Sequence, residues 1–374
     1  MIKVLTVLTD TNIGGAGRLL LNHLHNFDRN KIDMLVVLPE GSMLTPEVKK
    51  AGYEVIETKH GKDKTFEAGA VFEMIRIIRK TKPDIVHSHA SLSARIAALL
   101  CGVKSRIYTR HYAHELTSKD KAFPKKQITG FVNNTLSTAV VAVSKAAAEN
   151  LYDTGVKRKK VHVILNGVLP LAPASEKEKS ELRASLGIKD DDFVLLKSAR
   201  LDAIKGHKYL LDALAEICDA QKNTKLVIIG TGEEAKALKA LTKELFLEKN
   251  VIFTGFVNNV APYISIADIN INSSLTETCS LATSEAMTLS VPTVATNVGG
   301  NPEQIEDGKN GILVPAKDCG ALAEAVISLI NDPALLKALG VGAYSVYKEK
   351  FTCEKMTTAL EKLYQEQTKG RRQK

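Results

Sequence analysis

Short apolar runs alternate with longer amphipathic stretches along almost the whole chain. The runs are rich in Val, Ile and Leu and are bounded by turn residues, which is typical of parallel strands buried on both faces. The stretches between them repeat apolar residues at helical spacing. This alternation predicts an α/β fold with doubly wound parallel sheets. The predicted strands are residues 4–8, 34–38, 53–56, 85–88, 106–109, 139–143, 161–165, 193–198, 226–229, 251–254, 269–271, 293–295 and 312–314, and the clearest helices are 16–26, 66–81, 91–101 and 144–152.

The segment NGVLPLAPAS, at 166–175, interrupts the alternation with two prolines, one glycine and no charged residue. We predict that it is a hinge, because the alternation restarts after it and because 374 residues exceed what one hydrophobic core usually supports. The predicted domains are residues 1–168, residues 169–350 and a C-terminal piece, 351–374. In this last piece, a helix with Met356, Leu360 and Leu363 on one side is expected to pack back on the first domain, followed by a basic tail.

Composition excludes several classes of protein. The hydrophobic fraction of 44% and the charged fraction of 25% are ordinary for a globular chain. No apolar run approaches the roughly 20 residues that span a bilayer, and the opening stretch reaches Asp10 too early for a signal peptide. The five cysteines are scattered, which fits a reducing compartment better than a disulfide framework or a zinc site. We therefore expect a cytoplasmic location.

Charge is unevenly distributed along the chain. Residues 1–170 carry 26 Lys and Arg against 15 Asp and Glu, whereas residues 171–374 carry 25 against 27. The basic first half indicates an anionic partner, either a membrane surface or a phosphorylated substrate, unless the extra lysines only solubilise the domain. Nucleic acid is not expected, because no nucleic-acid-binding motif is present.

Ligands of open α/β sheets bind beyond the carboxyl ends of the strands, so the loops that follow strands carry the candidate chemistry. After the first strand, Gly14 and Gly15 precede a helix and let a phosphate approach bare backbone. The loop is not a G-x-G-x-x-G pattern, so a bound dinucleotide is not favoured. After the eighth strand, the planar Arg200 and the point charge of Lys205 suit a diphosphate. Either loop could instead be an ordinary turn.

The strongest local pattern, SSLTETCSLATSEAM, contains Glu277 and Glu285, separated by seven residues around the start of a helix. Eight helical steps rise about 12 Å, whereas the two carboxylates of a glycosidase lie only about 5–9.5 Å apart around one bond. The spacing therefore favours the ribose and the sugar of one nucleotide-sugar. The amides of Ser280, Leu281 and Ala282, which open the helix, would face a phosphate.

These residues, together with further short motifs, resemble the retaining GT-B glycosyltransferases of family 4, which build glycans from nucleotide-sugars. The resemblance covers essentially the whole chain, and it implies two Rossmann-like domains facing each other across a cleft. At Thr278-Cys279 many relatives have Gly-Phe or Phe-Gly, which leaves the identity of the donor sugar open. The matching motifs are Gly14-Gly15, PDIVHSH at 83–89, Thr109-x-His111, Val143-Ser144-Lys145, Asn166-Gly167-Val168, Arg200 with Lys205-Gly206, Gly230-x-Gly232, Gly255-Phe256-Val257, Ala267-Asp268-Ile269, Glu277 with Glu285-Ala286-Met287, Gly299-Gly300 with Glu303, and Gly308-x-x-Gly311.

The resemblance also implies roles. Arg200 and Lys205 would stabilise the donor diphosphate, Glu277 would lie by the transferred sugar, and Glu285 would bind the ribose. His111 would lie near the donor sugar and the acceptor, and it completes the implied catalytic set with Glu277, Arg200 and Lys205. The further implied donor contacts are Gly14, Gly15, Gly232, Phe256, Val257, Ser280, Leu281 and Ala282.

The implied reaction transfers a hexose or N-acetylhexosamine to a hydroxyl of a glycan or lipid-linked acceptor during cell-surface polysaccharide or lipopolysaccharide synthesis. UDP is the expected nucleotide, the anomeric configuration would be retained, and no cofactor is expected. No metal site is expected either, because the histidines that could suggest one come from separate elements without a cysteine or carboxylate cluster. These histidines are His23, His25, His87, His89, His111 and His114.

A basic amphipathic stretch in the first half contains Lys121, Lys125 and Lys126 around Phe123. It could lie on anionic lipid at the inner face of the plasma membrane, or it could be an ordinary solvated loop. Two other functions stay open: a non-hydrolysing nucleotide-sugar epimerase, and a non-catalytic GT-B subunit that binds a partner glycosyltransferase. The sequence gives no oligomeric state.

Overall fold

A computed structural model of the chain describes residues 1–112 and 116–369. The chain divides into two compact units, of which the first comprises Met1–Val168 with Thr352–Lys374 and the second comprises Leu169–Phe351. The division at Val168 falls inside the segment predicted as a hinge. Of the predicted basic tail at 369–374, residues 370–374 lie outside the described residues.

The described residues of the first unit form a parallel sheet of seven strands in the order β3-β2-β1-β4-β5-β6-β7. The strands are β1 (Ile2–Leu8), β2 (Ile32–Pro39), β3 (Glu54–Thr58), β4 (Ile85–His89), β5 (Ser105–Arg110), β6 (Ala139–Ala142) and β7 (Val161–Val163). The helices are α1 (Gly15–Asn26), α2 (Leu44–Lys50), α3 (Ala68–Thr81), α4 (Leu92–Leu100), α5 (Ser118–Lys121), α6 (Lys125–Leu136) and α7 (Lys145–Asp153).

The second unit contains a parallel sheet of six strands in the order β10-β9-β8-β11-β12-β13. Its strands are β8 (Phe193–Ser198), β9 (Thr224–Ile229), β10 (Val251–Gly255), β11 (Ile269–Asn272), β12 (Thr293–Thr296) and β13 (Gly311–Val314). Its helices are α8 (Glu176–Ser185), α9 (His207–Ala220), α10 (Ala235–Glu244), α11 (Ala261–Ser265), α12 (Leu281–Thr288), α13 (Asn301–Gln304), α14 (Cys319–Asn331) and α15 (Pro333–Lys350).

Helices cover both faces of the second sheet, which explains why its strands read as continuous apolar runs. In β8, Leu195 packs into a core with residues of α9 and α14, whereas Val194 and Leu196 pack on the opposite face with residues of α11 and α12. All three side chains are fully buried. Both units therefore have the doubly wound parallel sheet that the alternating pattern predicted.

The strand order of each sheet reverses at one position, between β1 and β4 in the first unit and between β8 and β11 in the second. In open α/β sheets, such a switch point opens a crevice at the carboxyl ends of the strands, where ligands bind. The loops after β8 and β11 carry Arg200, Lys205 and Glu277. The loop after β1 carries Gly14.

The C-terminal helix α16 (Cys353–Thr368) belongs to the first unit. Its apolar side is buried at Met356, Leu360 and Leu363. Glu361 Oε1 accepts a hydrogen bond of 2.9 Å from the backbone amide of Asp28, which follows α1. The helix therefore completes the core of this unit although it is the last helix that the structure describes.

Among the described residues, no single helix is long and apolar enough to cross a membrane. The consecutive helices α14 and α15 together have the length and composition of a span, but a bend of 104° separates them.

Candidate active site

An ion pair lies at the switch point of the second unit. Lys205 ends a 3₁₀ turn after β8, and its Nζ lies 2.8 Å from Oε2 of Glu277, which is in the loop between β11 and α12. Only 19% of the lysine side chain and 12% of the glutamate side chain are exposed. The Ser274 hydroxyl and the Thr278 amide also donate to the Glu277 carboxylate, at 3.4 and 3.1 Å. The structure thus joins two of the predicted catalytic residues, 72 positions apart.

Arg200 is also paired with a carboxylate. Its NH2 atom lies 3.0 Å from Oδ2 of Asp202, but 71% of the arginine side chain is exposed. We refer to Lys205–Glu277 and Arg200–Asp202 as the loop ion pairs. Since each predicted phosphate-binding cation already has an anionic partner, the two pairs together carry no net charge.

Two glycines with positive φ hold these loops against one another. Gly206 has a φ of +63°, and a Cβ there would lie 2.0 Å from the carbonyl oxygen of Ser273. Gly299 has a φ of +52°, and a Cβ there would lie 1.9 Å from the carbonyl oxygen of Glu277. Because only glycine fits both the conformation and the space, these positions fix the backbone on both sides of the Lys205–Glu277 pair.

The helix α12 begins beside Glu277 and carries Glu285 in its second turn. Ser280 is the N-cap, and its side chain accepts from the Thr283 amide. The sequence predicted that the Ser280 amide would face a phosphate, but this amide donates to Gln304 Oε1 at 2.7 Å. The backbone amides of Leu281 and Ala282 donate to no acceptor among the described residues. They therefore remain available to an anion at the start of the helix.

Buried amide side chains brace the loops after β11 and β12, and the sequence analysis did not identify them. Gln304 Nε2 donates to the Ser280 carbonyl oxygen at 2.9 Å. Asn272 Nδ2 donates to Asn301 Oδ1 at 3.1 Å, and Asn301 Nδ2 donates to the Thr296 carbonyl oxygen at 2.9 Å. The available signal was the position of Asn272 at the end of β11 and of Asn301 directly after Gly299-Gly300.

Three further predicted donor contacts, Gly232, Phe256 and Val257, lie in loops at the same edge of the second sheet. Phe256 follows β10, and 53% of its surface is exposed. Val257 packs partly into the core. Gly232 follows β9 and lies against the backbone of Leu201. The exposed phenyl ring is free to stack on a planar group.

In the first unit, Gly14 and Gly15 are exposed at the start of α1, and no atom of the described residues lies within 4 Å of where their side chains would begin. The same unit contains four histidines that the sequence placed on separate elements: His23 on α1, His87 and His89 on β4, and His111 after β5. We call these four the histidine cluster. His89 Nδ1 lies 2.7 Å from His111 Nε2, with one nitrogen donating to the other, and the rings of His87 and His89 stack at 4.5 Å.

Burial keeps the histidine cluster neutral. It lowers the pKa of His23 and His87 to about 3 and that of His111 to about 4, and the mutual repulsion of the rings adds to this effect for His23 and His87. His87 is hydrogen bonded on both sides, to Tyr364 Oη and to Thr109 Oγ1, each at 2.6 Å. At neutral pH, His111 therefore offers a hydrogen bond and not a positive charge.

Among the described residues, no group of three or more His, Cys, Asp or Glu side chains is arranged to hold a metal ion. His114 lies outside the described residues.

Much of the charge of the basic stretch is already paired. Lys121 Nζ lies 2.7 Å from Asp153 Oδ2, and Lys125 Nζ lies 2.5 Å from Asp120 Oδ1. Lys126 is half-buried, whereas 80% of Phe123 is exposed. This stretch therefore presents an exposed aromatic ring and two lysines whose charges are already paired.

Two family profiles match the chain, that of the glycosyl transferases group 1 over residues 178–346 and that of glycosyltransferase family 4 over residues 13–170. N-acetyl-alpha-D-glucosaminyl L-malate synthase of Bacillus anthracis is 25% identical over 80% of this chain and 79% of its own length. UDP-Gal:alpha-D-GlcNAc-diphosphoundecaprenol alpha-1,3-galactosyltransferase of Escherichia coli is 27% identical over 71% of each.

The crystal structure of Anabaena HepE in complex with UDP and glucose superposes with a TM-score of 0.85 at 21% identity, over 97% of this chain and 99% of that one. The fold is therefore that of the GT-B glycosyltransferases. With both family profiles matched, together over most of its length, the chain belongs to glycosyltransferase family 4.

Proposed function

We propose that this glycosyltransferase retains the anomeric configuration and transfers a hexose or N-acetylhexosamine from a UDP-linked donor to a hydroxyl of a glycan or lipid-linked acceptor. The observation that carries the proposal is the Lys205–Glu277 pair at the switch point of the second unit. The names of two similar proteins support the substrates: HepE has been crystallised with UDP and glucose, and the E. coli relative is named for UDP-Gal and a diphosphoundecaprenol-linked sugar.

Donor binding would exchange partners within the site. A diphosphate beside Lys205 and Arg200 competes with Glu277 and Asp202 for the two cations, and phosphate accepts charge-assisted hydrogen bonds from both. Glu277, released from Lys205, is then able to accept hydrogen bonds from sugar hydroxyls. The pair thus keeps both side chains in place before the donor arrives.

Charge stabilisation is the main chemical contribution of the second unit. As the bond between the anomeric carbon and the phosphate oxygen breaks, negative charge develops on the leaving diphosphate. Lys205, Arg200 and the amides of Leu281 and Ala282 would stabilise this charge without a metal ion. Addition of EDTA is therefore expected to leave the rate unchanged, and a rate that depends on added Mg²⁺ would contradict this part of the proposal.

The acceptor hydroxyl would attack from the face that the diphosphate leaves, so that its oxygen forms the new bond on the same side. Its proton passes to the departing phosphate, which balances the charge. His111 is neutral and would act here by hydrogen bonding, and Glu285 would hold the ribose. No carboxylate is assigned as a nucleophile.

The test is product analysis by NMR. UDP-glucose, UDP-galactose and UDP-N-acetylglucosamine are each incubated with a lipid-linked GlcNAc diphosphate acceptor. An α-linked product from an α-linked donor is expected, and Glu277→Gln should abolish it. A β-linked product would contradict retention, and conversion of the donor without acceptor would indicate an epimerase.

For the acceptor side, we propose that the stretch around Phe123 contacts an anionic membrane surface, which would locate the protein at the inner face of the plasma membrane. With Lys121 and Lys125 already paired, the exposed ring contributes more than the lysines do. Co-sedimentation with phosphatidylglycerol vesicles should fall on Phe123→Ser. Equal sedimentation of the parent and this variant would contradict the proposal.

A further inference from the structure

A single lysine lies inside the apolar strand β8, three residues before Arg200. Lys197 is 1% exposed, and in the alternation of the strand it shares the face of Leu195, which packs into the core. Lysine is almost never fully buried unless its ammonium has a partner. At this position, however, Lys197 Nζ makes no hydrogen bond or ion pair with any residue that the structure describes.

The titratable groups that face Lys197 come from the loops after β8 and β11 and from the start of α9. They are Asp202 and Lys205 after β8, Glu277 after β11, and His207 at the start of α9. His207 donates from Nε2 to the Arg200 carbonyl oxygen at 2.9 Å, and its buried Nδ1 has no hydrogen-bond partner in the part of the chain that the structure describes. Burial lowers the pKa of His207 to about 3, so this ring adds no charge.

Lys197 differs from the other cations of the site in its charge balance. The loop ion pairs cancel, since Lys205 is matched by Glu277 and Arg200 by Asp202. Among the described residues of this group, the ammonium of Lys197 is the cation that has no carboxylate partner. A buried charge without a partner is costly, and an incoming anion would compensate it.

Lys197 is also able to change its charge near neutral pH. Burial and the neighbouring Lys205 lower its pKa to about 7, against the opposing effect of Glu277 and Asp202. A dianion bound beside it would favour the protonated form.

We propose that Lys197 is a third cation of the donor-diphosphate site and takes up a proton from solvent when the diphosphate binds. It is a positioning residue, because it acts through the loop above it and is covered by protein. This inference rests on the proposed function, and it adds that donor affinity depends on pH through one buried lysine.

The test is calorimetric titration with UDP at pH 8 in buffers of different ionisation enthalpy, which reports the protons taken up on binding. UDP itself is fully ionised there, because the second pKa of a phosphate is about 6. The parent protein should take up about one proton per UDP, and its affinity should fall by nearly tenfold per pH unit above pH 7.5.

Two variants isolate the lysine. Lys197→Met should abolish the uptake, and Lys197→Arg should bind UDP without uptake and with little pH dependence, because arginine stays charged. The matched control is Lys225→Met, on the adjacent strand β9, whose Nζ donates to the Lys249 carbonyl oxygen at 2.7 Å. This variant should behave like the parent.

The outcomes separate the two proposals. UDP binding without proton uptake by the parent, or unchanged uptake in Lys197→Met, would overturn the role of Lys197 and leave the proposed function standing. If both Lys197 variants fail to fold, the pH dependence of UDP affinity in the parent protein tests the role of Lys197 by itself. Failure of UDP, GDP and ADP all to bind would overturn the proposed function and this inference with it.

Discussion

The two units share the same order over six strands, to which the first unit adds a seventh, but they carry different chemistry in the loops and strand ends of their sheets. In the first unit, the histidine cluster is neutral, and the side chains of His23, His87 and His89 are buried whereas that of His111 is half-buried. In the second, the loop ion pairs lie above a buried lysine. A common topology therefore does not determine the charge of the site, which depends on the side chains that the loops and strand ends supply. The site of the second unit, with Arg200, Lys205 and Lys197, carries the cations with which an anion would pair.

The stabilities of the two units should also depend on pH in different ranges. A buried neutral histidine binds fewer protons than its unfolded counterpart, so the first unit should lose stability as the pH falls from about 6.5 toward 3. Lys197 has its lowered pKa at about 7, so the second unit should gain stability as the pH rises from 7 toward 10.5. The two windows do not overlap.

The largest effect is expected from removing the cation of the buried ion pair. Lys205→Met should lower kcat by about 10²–10³, because it removes one stabiliser of the developing charge. The matched control is Lys309→Met, since Lys309 also lies 2.8 Å from a carboxylate, that of Glu306, but is 75% exposed. Steady-state kinetics should show the control within about twofold of the parent. Equal losses of kcat in Lys205→Met and Lys309→Met would contradict a special role of the buried pair Lys205–Glu277 over the exposed pair Lys309–Glu306.

The next effect comes from the loop backbone. Gly299→Ala should push the Glu277 loop away and lower kcat by up to about 10²-fold, because small misplacements of a reacting group are costly. Gly187→Ala is the control, because Gly187 also has a positive φ, +67°, but open space around it. Both variants carry backbone strain, and only the first carries the clash. Parental activity in Gly299→Ala would show that the contact does not position Glu277.

A smaller effect is predicted for the histidine cluster. His87→Gln should lower the number of protons that the first unit takes up on unfolding by about one between roughly pH 6 and pH 4. The slope of its unfolding free energy against pH should then fall by about 1.4 kcal/mol per pH unit. Hydrogen exchange of the β4 and β5 amides at several pH values measures this slope. A slope equal to that of the parent would mean that His87 does not carry the acid sensitivity. The β8 and β9 amides of the second unit should be unaffected.

The smallest effect concerns two helix caps in the second unit. Ser280→Ala and Ser175→Ala should each destabilise their helix by about 1 kcal/mol, because both serines accept from a backbone amide of the first turn. Only Ser280→Ala should also weaken UDP affinity, by several-fold, because the amides of Leu281 and Ala282 follow that cap. Calorimetry that finds equal UDP affinity in both variants would argue against a phosphate at this helix.

The fold could be predicted from the sequence because a strand that is buried on both faces is a continuous apolar run in the sequence. The predicted strand at 193–198 matches β8, and the predicted 251–254 matches β10 to within one residue. With the strand ends known, the loop residues Arg200, Lys205 and Glu277 could be assigned to one edge of the sheet. This assignment was possible because the strands are parallel, so that all their carboxyl ends lie at the same edge of the sheet.

Three features could not be predicted, because they depend on contacts between distant segments. The pairing of Lys205 with Glu277 joins two loops 72 residues apart. The histidine cluster is closed by Tyr364, on the last helix, which the amphipathic pattern alone does not orient. Lys197 reads in the sequence as a polar residue at a strand end, and only the packing of the second unit shows that it is buried.

The central claim is that the donor nucleotide binds at the switch point of the second unit. Hydrogen–deuterium exchange with and without saturating UDP tests it directly. We predict slower exchange in the segments that follow β8 and β11, residues 199–207 and 274–285. Slower exchange confined to other segments, with these two unchanged, would contradict the account.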